Sequence, residues 1–160
     1  MDPAADASHV APWPHIFERT GPKRSSALYR WFEKEPVLEQ DTMTQQIRFY
    51  LGLETLIFVT AALIHFEVLF DGYPDPGAGI AESVIAAVLL LGLLMSLARP
   101  PWTRATGLAA QIFALLGTFV GLTLLFVVGP STTLDIVIHL VMVAVLIVGL
   151  VVTARSPAAV

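Results

Sequence analysis

Four long apolar segments constrain this chain more than any other feature of its sequence. They cover residues 51–70, 80–97, 106–128 and 134–154, so each has 18 or more residues. A helix needs about 20 apolar residues to cross the roughly 30 Å hydrocarbon core of a bilayer. A soluble chain of 160 residues has too little interior to bury four such segments. The sequence therefore predicts four transmembrane helices.

Short, turn-rich breaks separate the four segments. They read DGYPDPGAG at 71–79, ARPPWTRA at 98–105 and GPSTT at 129–133. Gly, Pro, Asp and Ser end helices there for backbone reasons. Short connections place consecutive helices side by side in opposite directions. The expected fold class is an all-α membrane protein, a four-transmembrane-helix up-down antiparallel bundle that occupies residues 51–154.

The first 50 residues differ in composition from the bundle. Residues 1–27 hold Pro, Ala, Ser and charges but too little apolar material to offset the entropy of ordering, so we expect a disordered cytoplasmic tail. Residues 28–50 predict a lead-in helix, which begins either at headgroup level or packed on the protein itself. From Asp41 this helix is expected to run straight into the first span. Residues 155–160 are expected to form a short cytoplasmic tail.

The basic residues are distributed asymmetrically among the loops. Of the nine Lys and Arg residues, six precede the first span, two lie in the second break and one follows the last span. The first and third breaks have none, and the first carries Asp71 and Asp75 instead. Cytoplasmic loops carry the excess of Lys and Arg. The sequence thus predicts a multi-pass protein of the bacterial inner (plasma) membrane, with both termini and the second break in the cytoplasm.

Three polar residues form an inner layer near the cytoplasmic ends of the spans: Glu54, Ser96 and Gln111. An ionisable group in hydrocarbon costs about 2.5–3.5 kcal/mol on insertion scales, so each one needs a reason. We expect these side chains to hydrogen-bond across helices, which stabilises a bundle by roughly 0.6–2 kcal/mol per contact. A proton or ion path is the alternative, and Glu54 has the further option of extending to the interface.

A second group of polar residues is expected at one depth near the outer face: His65, Glu82, Asp135 and His139. Imidazole and carboxylate groups suit a divalent metal such as zinc, copper or iron. Alternatively, His65 and His139 would be the two axial ligands of a haem b. A purely structural hydrogen-bond network is the plainer explanation, because Glu82 and Asp135 are both expected in a first helical turn, where the helix dipole favours an anion. Proton handling is the remaining hypothesis.

The third segment carries a helical stripe of small residues, made of Gly107, Ala110, Ala114, Gly117 and Gly121. Small residues let two helix backbones approach closely, which drives helix association in lipid. The partner is expected within the bundle, where the first helix offers Ala61 and Ala62. A second copy of the chain or another membrane subunit is the alternative.

The motifs HF at 65–66, DGY at 71–73 and IAESVI at 80–85 resemble those of small four-helix bacterial inner-membrane proteins. The likeness covers residues 46–154 and leaves out the N-terminal tail. It implies that His65 and Glu82 belong together, and it implies no particular activity.

The sequence also excludes several classes of function. The chain has no cysteine, which removes thiolate metal sites, Fe–S clusters and a Cys nucleophile. It has no P-loop, dinucleotide fingerprint, HExxH or GxSxG motif. Its basic residues are mixed with acids and carry no nucleic-acid motif, so lipid headgroups are the expected neighbours.

The expected function is that of a small non-catalytic membrane protein, an accessory or ligand-binding component of a larger membrane complex. The expected partners are the lipid bilayer and either other membrane subunits or a second copy. Two alternatives stay open. One is a redox protein that binds a metal or haem b through His65 and His139. The other is transport of protons or small ions through Glu54, Gln111, His65 and Glu82.

Overall fold

The computed structural model describes residues 26–72, 74–128 and 133–157. The predicted tail lies outside these residues except for its last two positions, and most of the predicted C-terminal tail lies outside them as well. The described residues form α1 (Ser26–His65), α2 (Pro76–Ala98), a 3-10 turn (Pro100–Trp102), α3 (Thr103–Val128) and α4 (Thr133–Arg155), and no strand. α1 passes from one unit of the chain, Met1–Lys34, into a second, Glu35–Val160, which holds every feature discussed below.

Four helical stretches of the described chain are long and apolar enough to cross a membrane, namely Asp41–His65, Pro76–Ala98, Pro100–Leu124 and Asp135–Arg155. α2 packs against α3, and α3 packs against α4. α1 joins them through the side-chain contacts described below. The predicted all-α bundle of four transmembrane helices is confirmed.

α1 and α4 each bury a narrow seam whose residues recur at alternating spacings of three and four. On α1 the seam consists of Ile47, Leu51, Glu54, Phe58, Ala61 and His65. On α4 it consists of His139, Met142, Leu146, Gly149 and Thr153, and Ser156 continues it just after the helix ends. This spacing is typical of helices that pack side by side at a small crossing angle. Glu54 lies in the middle of the α1 seam and His65 at its end, whereas the polar residues of the α4 seam lie nearer its ends.

The faces opposite the seams are apolar and exposed, as a lipid environment requires. Their few hydroxyl groups bond to their own helix: Thr60 Oγ1 donates to the Leu56 carbonyl at 2.8 Å, and Thr123 Oγ1 donates to the Phe119 carbonyl at 2.8 Å. A polar group that faces hydrocarbon needs such an internal partner. The outer surface is therefore compatible with lipid even where it carries oxygen atoms.

α1 ends at His65, although the apolar run continues to Phe70. Glu67 adopts a left-handed backbone conformation with a φ of 56°. Its N–H donates to the Ile64 carbonyl at 2.9 Å, and the Val68 N–H donates to the Leu63 carbonyl at 2.9 Å. These two bonds form a Schellman motif, which closes a helix regardless of the hydropathy of the residues that follow. The end of the first span that hydropathy predicts therefore lies beyond the observed end of the helix.

α2 begins at Pro76, four residues before the expected start at Ile80. Asp75 is its N-cap, and the Asp75 side chain accepts a hydrogen bond from the Ala78 N–H at 2.9 Å. Proline suits the first helical position because its missing N–H would have no helical partner there. The early start places Glu82 in the second turn. The expectation that Glu82 occupies the first turn, where the helix dipole would explain it, is wrong.

Candidate functional site

The two ends of the bundle differ in charge. One end, called the acidic end below, carries Asp71, Asp75 and Asp135. The other, called the basic end, carries Arg48, Arg99, Arg104 and Arg155. The polar side chains inside the bundle form separate sets along the axis between these ends.

Glu54 of α1 and Gln111 of α3 form the most deeply buried polar pair. The Gln111 Nε2 donates to both carboxyl oxygens of Glu54, at 2.9 and 3.2 Å. Their side chains are 1% and 0% exposed. Glu54 therefore does not extend to the interface, and its hydrogen bonds join α1 to α3.

Gly149 of α4 provides the space that this pair occupies. A Cβ atom at Gly149 would overlap Glu54 Oε1 and would lie 2.6 Å from Gln111 Nε2. Only a glycine lets the α4 backbone approach the pair so closely, so the carboxyl and amide groups connect three helices. Gly149 was not predicted from the sequence as part of this site. The available signal was a lone glycine within the long apolar run of the fourth span.

Ser96 belongs to a different set of contacts from Glu54 and Gln111. The Arg48 Nε donates to Ser96 Oγ at 2.9 Å, and the Arg48 Nη2 donates to the Ser96 carbonyl at 2.6 Å. The Ser96 and Thr103 hydroxyl oxygens lie 3.1 Å apart. A cation that bonds to the last carbonyls of a helix stabilises its end. Arg48 therefore caps the C-terminal end of α2. Neither Arg48 nor Thr103 was predicted from the sequence as part of this set of contacts.

His65 of α1 and Glu82 of α2 form a second buried pair, close to the acidic end. His65 Nε2 lies 3.5 Å from Glu82 Oε1, and the two residues are 6% and 4% exposed. Neither Glu82 oxygen has a hydrogen-bond partner among the described residues, and neither has His65 Nδ1. The resemblance implied that these two residues belong together, and the structure places them in contact.

His139 has different neighbours. Its Nδ1 lies 2.8 Å from the backbone carbonyl oxygen of Asp135, one turn earlier on α4. Its Nε2 lies 3.9 Å from the position of a Cβ built on Gly121 of α3. Asp135 is in the first turn of α4, as expected. The contacts of His139 are thus with α3 and its own helix.

The predicted metal ligands do not form one set. Within residues 26–72, 74–128 and 133–157, no group of three or more His, Asp or Glu side chains could hold a metal ion. The expected convergence of His65, Glu82, Asp135 and His139 on one divalent ion is therefore absent from the described structure. A haem b between His65 and His139 stays a prediction.

Comparisons with protein-family models, curated proteins and solved structures found no match. The chemistry of the site therefore follows from its own side chains. A carboxyl group held by an amide and a glycine, as at Glu54, joins helices. A carboxyl group that lies beside an imidazole without a hydrogen bond, as at Glu82, has free capacity to bind another donor.

The two pairs are far apart along the bundle. Glu54 and His65 are eleven residues apart on one seam of α1, which is about 16 Å at roughly 1.5 Å per residue. Between them the same seam holds Phe58 and Ala61, both almost fully buried. An apolar stretch thus separates the pair in the middle of the bundle from the pair near the acidic end.

The stripe of small residues on α3 packs inside the bundle. It consists of Gly107, Ala110, Ala114, Gly117 and Gly121. A Cβ at Gly107 would lie 3.0 Å from Ile47 of α1 and 3.2 Å from Thr153 of α4. A Cβ at Gly117 would lie 2.9 Å from Ile85 of α2. The stripe therefore meets all three other helices, and the α1 residue opposite Gly107 is Ile47.

Proposed function

We propose that this protein is a small non-catalytic component of a bacterial inner membrane that works beside a larger membrane protein. Its bundle is a self-contained scaffold, and its outer apolar surface makes the contact with the partner. The basic end faces the cytoplasm in this proposal. A reporter enzyme fused after Val160 tests that orientation, and activity on the outer side of the membrane would reverse it.

The use of the buried polar groups supports the scaffold role. The pair Glu54–Gln111 joins α1 to α3, and Arg48 joins α1 to the end of α2. The Arg104 Nη2 donates to the Ala154 carbonyl at 3.3 Å, which joins α3 to the end of α4. Each of these contacts stabilises one arrangement of helices. These hydrogen bonds between helices are the observation that carries the proposal. They hold the helices in one arrangement, and a bundle held in this way presents a fixed outer surface.

Site-specific photocrosslinking tests the proposal, because each helix offers at least one leucine that is more than half exposed. These matched positions are Leu56 on α1, Leu91 on α2, Leu116 on α3 and Leu140 on α4. A photoreactive phenylalanine at each position, introduced one at a time, samples the four sides of the bundle in native membranes. We expect one protein adduct of constant size from one or two neighbouring helices.

Lipid provides the internal control, since it reaches all four sides. Lipid adducts alone, formed equally from the four positions, would contradict the proposal. So would a protein that runs as an isolated monomer in mild detergent after crosslinking.

Proton binding at His65 and Glu82 is the second candidate function. The observation that favours it is the unused hydrogen-bonding capacity of a pair that is almost fully buried. Transport across the membrane would require a continuous polar path to Glu54. The apolar seam around Phe58 separates the two pairs, so the geometry favours proton exchange at one end.

Infrared difference spectroscopy during a pH step tests proton binding directly. A protonated carboxyl group has its own stretching band, and we expect part of that band to change with pH. Glu82→Gln should remove the changing part, whereas Glu54→Gln should leave it in place. A pH response that disappears in Glu54→Gln and persists in Glu82→Gln would exclude this function. Proton flux into liposomes equal to that of empty vesicles is expected for exchange at one end.

A further inference from the structure

A small cleft opens at the basic end, between the start of the α1 span, the 3-10 turn and the end of α4. It encloses about 30 Å³, enough for one or two water-sized groups. Its polar lining residues are Thr44, Thr103, Arg104 and Ser156. Pro100, Pro101 and Pro157 also line it and are exposed, so the cleft opens toward the surface. No acidic side chain is among the described residues that line it.

Arg104 is the charged group of this cleft, and its bonds are incomplete. One nitrogen, Nη2, donates to the Ala154 carbonyl. The Nε atom is buried and has no hydrogen-bond partner among the described residues. A guanidinium group carries five N–H donors and keeps its charge at any physiological pH. Arg104 is therefore a permanent cation that lines the cleft and has one buried N–H donor without a partner among the described residues.

The position of Arg104 on its helix adds to the positive charge of the cleft and so favours the binding of an anion. It is the second residue of α3, and the first turn of a helix carries a partial positive charge of its own. A cation and a helix N-terminus repel each other, and both attract an anion. Other cations nearby are already engaged, because Arg48 bonds to Ser96 and Arg99 lies 5.2 Å from the centre of the Trp102 ring.

We propose that the cleft binds a phosphate group, with Arg104 as its charged ligand. A guanidinium group binds phosphate through two parallel N–H bonds. The hydroxyl group of Thr44 lines the same cleft, whereas the Ser156 hydroxyl already donates to the Val152 carbonyl at 3.0 Å. Because the cleft lies where a transmembrane bundle meets the headgroup region, the phosphate comes from an anionic phospholipid. Basic pockets between transmembrane helices bind such headgroups in general.

Lipid binding to the full-length protein in detergent tests this proposal. Native mass spectrometry would compare phosphatidylglycerol, which carries a net negative charge, with phosphatidylcholine, which does not. We expect preferential retention of phosphatidylglycerol. Arg104→Gln should weaken that binding about tenfold, as the loss of a charged hydrogen bond predicts.

Arg155→Gln is the matched control, because it removes the same charge from the same end of the bundle at an exposed position outside the cleft. It should change the affinity for phosphatidylglycerol by less than about twofold, as for a screened surface charge. Equal weakening by Arg104→Gln and Arg155→Gln would overturn the proposal, since it would show general charge attraction. Equal binding of the two lipids would overturn it as well.

Two further variants keep the test valid if Arg104→Gln does not fold. Arg104→Lys keeps the charge and loses the paired donors, and Thr44→Val removes one hydroxyl group from the cleft. Both should weaken phosphatidylglycerol binding several-fold, and unchanged binding in both would exclude the site. Inorganic phosphate serves as a competitor for the lipid. Displacement of the lipid by a low concentration of phosphate would support a phosphate site whose ligand is the free anion. If phosphate does not displace the lipid, the result supports the lipid headgroup as the ligand.

Discussion

The two buried glutamates of the bundle have nearly the same exposure and very different surroundings. Glu54 accepts two hydrogen bonds from Gln111 and fits against the backbone of Gly149. Glu82 Oε1 lies 3.5 Å from His65 Nε2, and neither Glu82 oxygen has a hydrogen bond among the described residues. One carboxyl group is held by hydrogen bonds, and the other is buried without one.

This difference separates a carboxyl group that stabilises the fold from one that does not. A buried polar group without a hydrogen bond costs about 1–3 kcal/mol relative to a bonded one. The Glu54 carboxyl group avoids this cost through Gln111, although Gln111 Oε1 has no partner among the described residues, whereas both oxygens of Glu82 lack one. A residue that a fold keeps at a cost is a candidate for function. We therefore propose that Glu54 stabilises the fold and that Glu82 binds a proton, and the following variants test that assignment.

The largest effect is expected from Gly149→Ala. The added Cβ would overlap Glu54 Oε1 and approach Gln111 Nε2, so the pair would have to separate or α4 would have to move. Overpacking costs about 1–3 kcal/mol, and a lost buried hydrogen bond adds to it. We expect the free energy of unfolding in detergent to fall by about 3 kcal/mol, measured by denaturant titration of helicity.

Gly52→Ala is the matched control, because a Cβ at Gly52 would lie 3.9 Å from Leu93, an ordinary contact. It should leave the stability unchanged or raise it by up to about 1 kcal/mol through helix propensity. Adding Glu54→Ala to Gly149→Ala removes the overlapping atoms and should restore part of the loss. A loss that is equal in the two glycine variants would show that Gly149 has no special relation to the carboxyl group.

Apolar replacement of each whole pair compares the two glutamates directly. The double variant His65→Leu and Glu82→Leu should be as stable as the native chain or more stable by about 1–2 kcal/mol, as for other buried ionisable pairs. The double variant Glu54→Met and Gln111→Met should lose about 1 kcal/mol, since it removes hydrogen bonds between helices.

The same denaturant titration measures both double variants. The opposite order of stabilities would reverse the assignment of the two pairs. If both double variants lost equal stability, the pairs would have the same structural role and the case for function at Glu82 would fail.

The fold was predictable because lipid selects for length and hydropathy, which are properties of the sequence alone. The ends of the helices were less predictable, because they depend on local backbone bonds. The apolar residues up to Phe70 continue the hydropathy of the first span, but Glu67 closes the helix before them. Asp75 and Pro76 likewise start α2 earlier than its hydropathy indicates.

Depth in the membrane was also predictable, since it follows from counting residues along each helix. Glu54 and Gln111 were expected at similar depth, and they meet. The direction of a side chain around the helix axis depends on how the helices pack, and one sequence does not show that. For this reason Ser96 was grouped with Glu54 but contacts Arg48, and His139 was expected in the His65 and Glu82 cluster but packs against α3.

The smallest effect is expected at Glu67, which closes α1 just after His65 and so helps to fix the weaker pair. A left-handed conformation costs a residue other than glycine about 1–2 kcal/mol. Part of this cost is offset because Glu67 Oε1 accepts a hydrogen bond from the Gly72 N–H at 2.9 Å. Glu67→Gly should therefore change the stability by less than about 1 kcal/mol, since strain relief and the lost bond oppose each other.

Glu67→Ala separates these two contributions, because it loses the hydrogen bond and keeps the strain. It should be less stable than Glu67→Gly by about 1 kcal/mol, measured by the same titration. Neither variant should alter the Glu54–Gln111 pair, whereas loosening of the α1 end should change the infrared response of Glu82. Equal stability of the glycine and alanine variants would mean that the end of α1 is not held in its left-handed form. His65 would then be held in place by its contact with Glu82 alone. The difference in hydrogen bonding and support between Glu82 and Glu54 would be larger still.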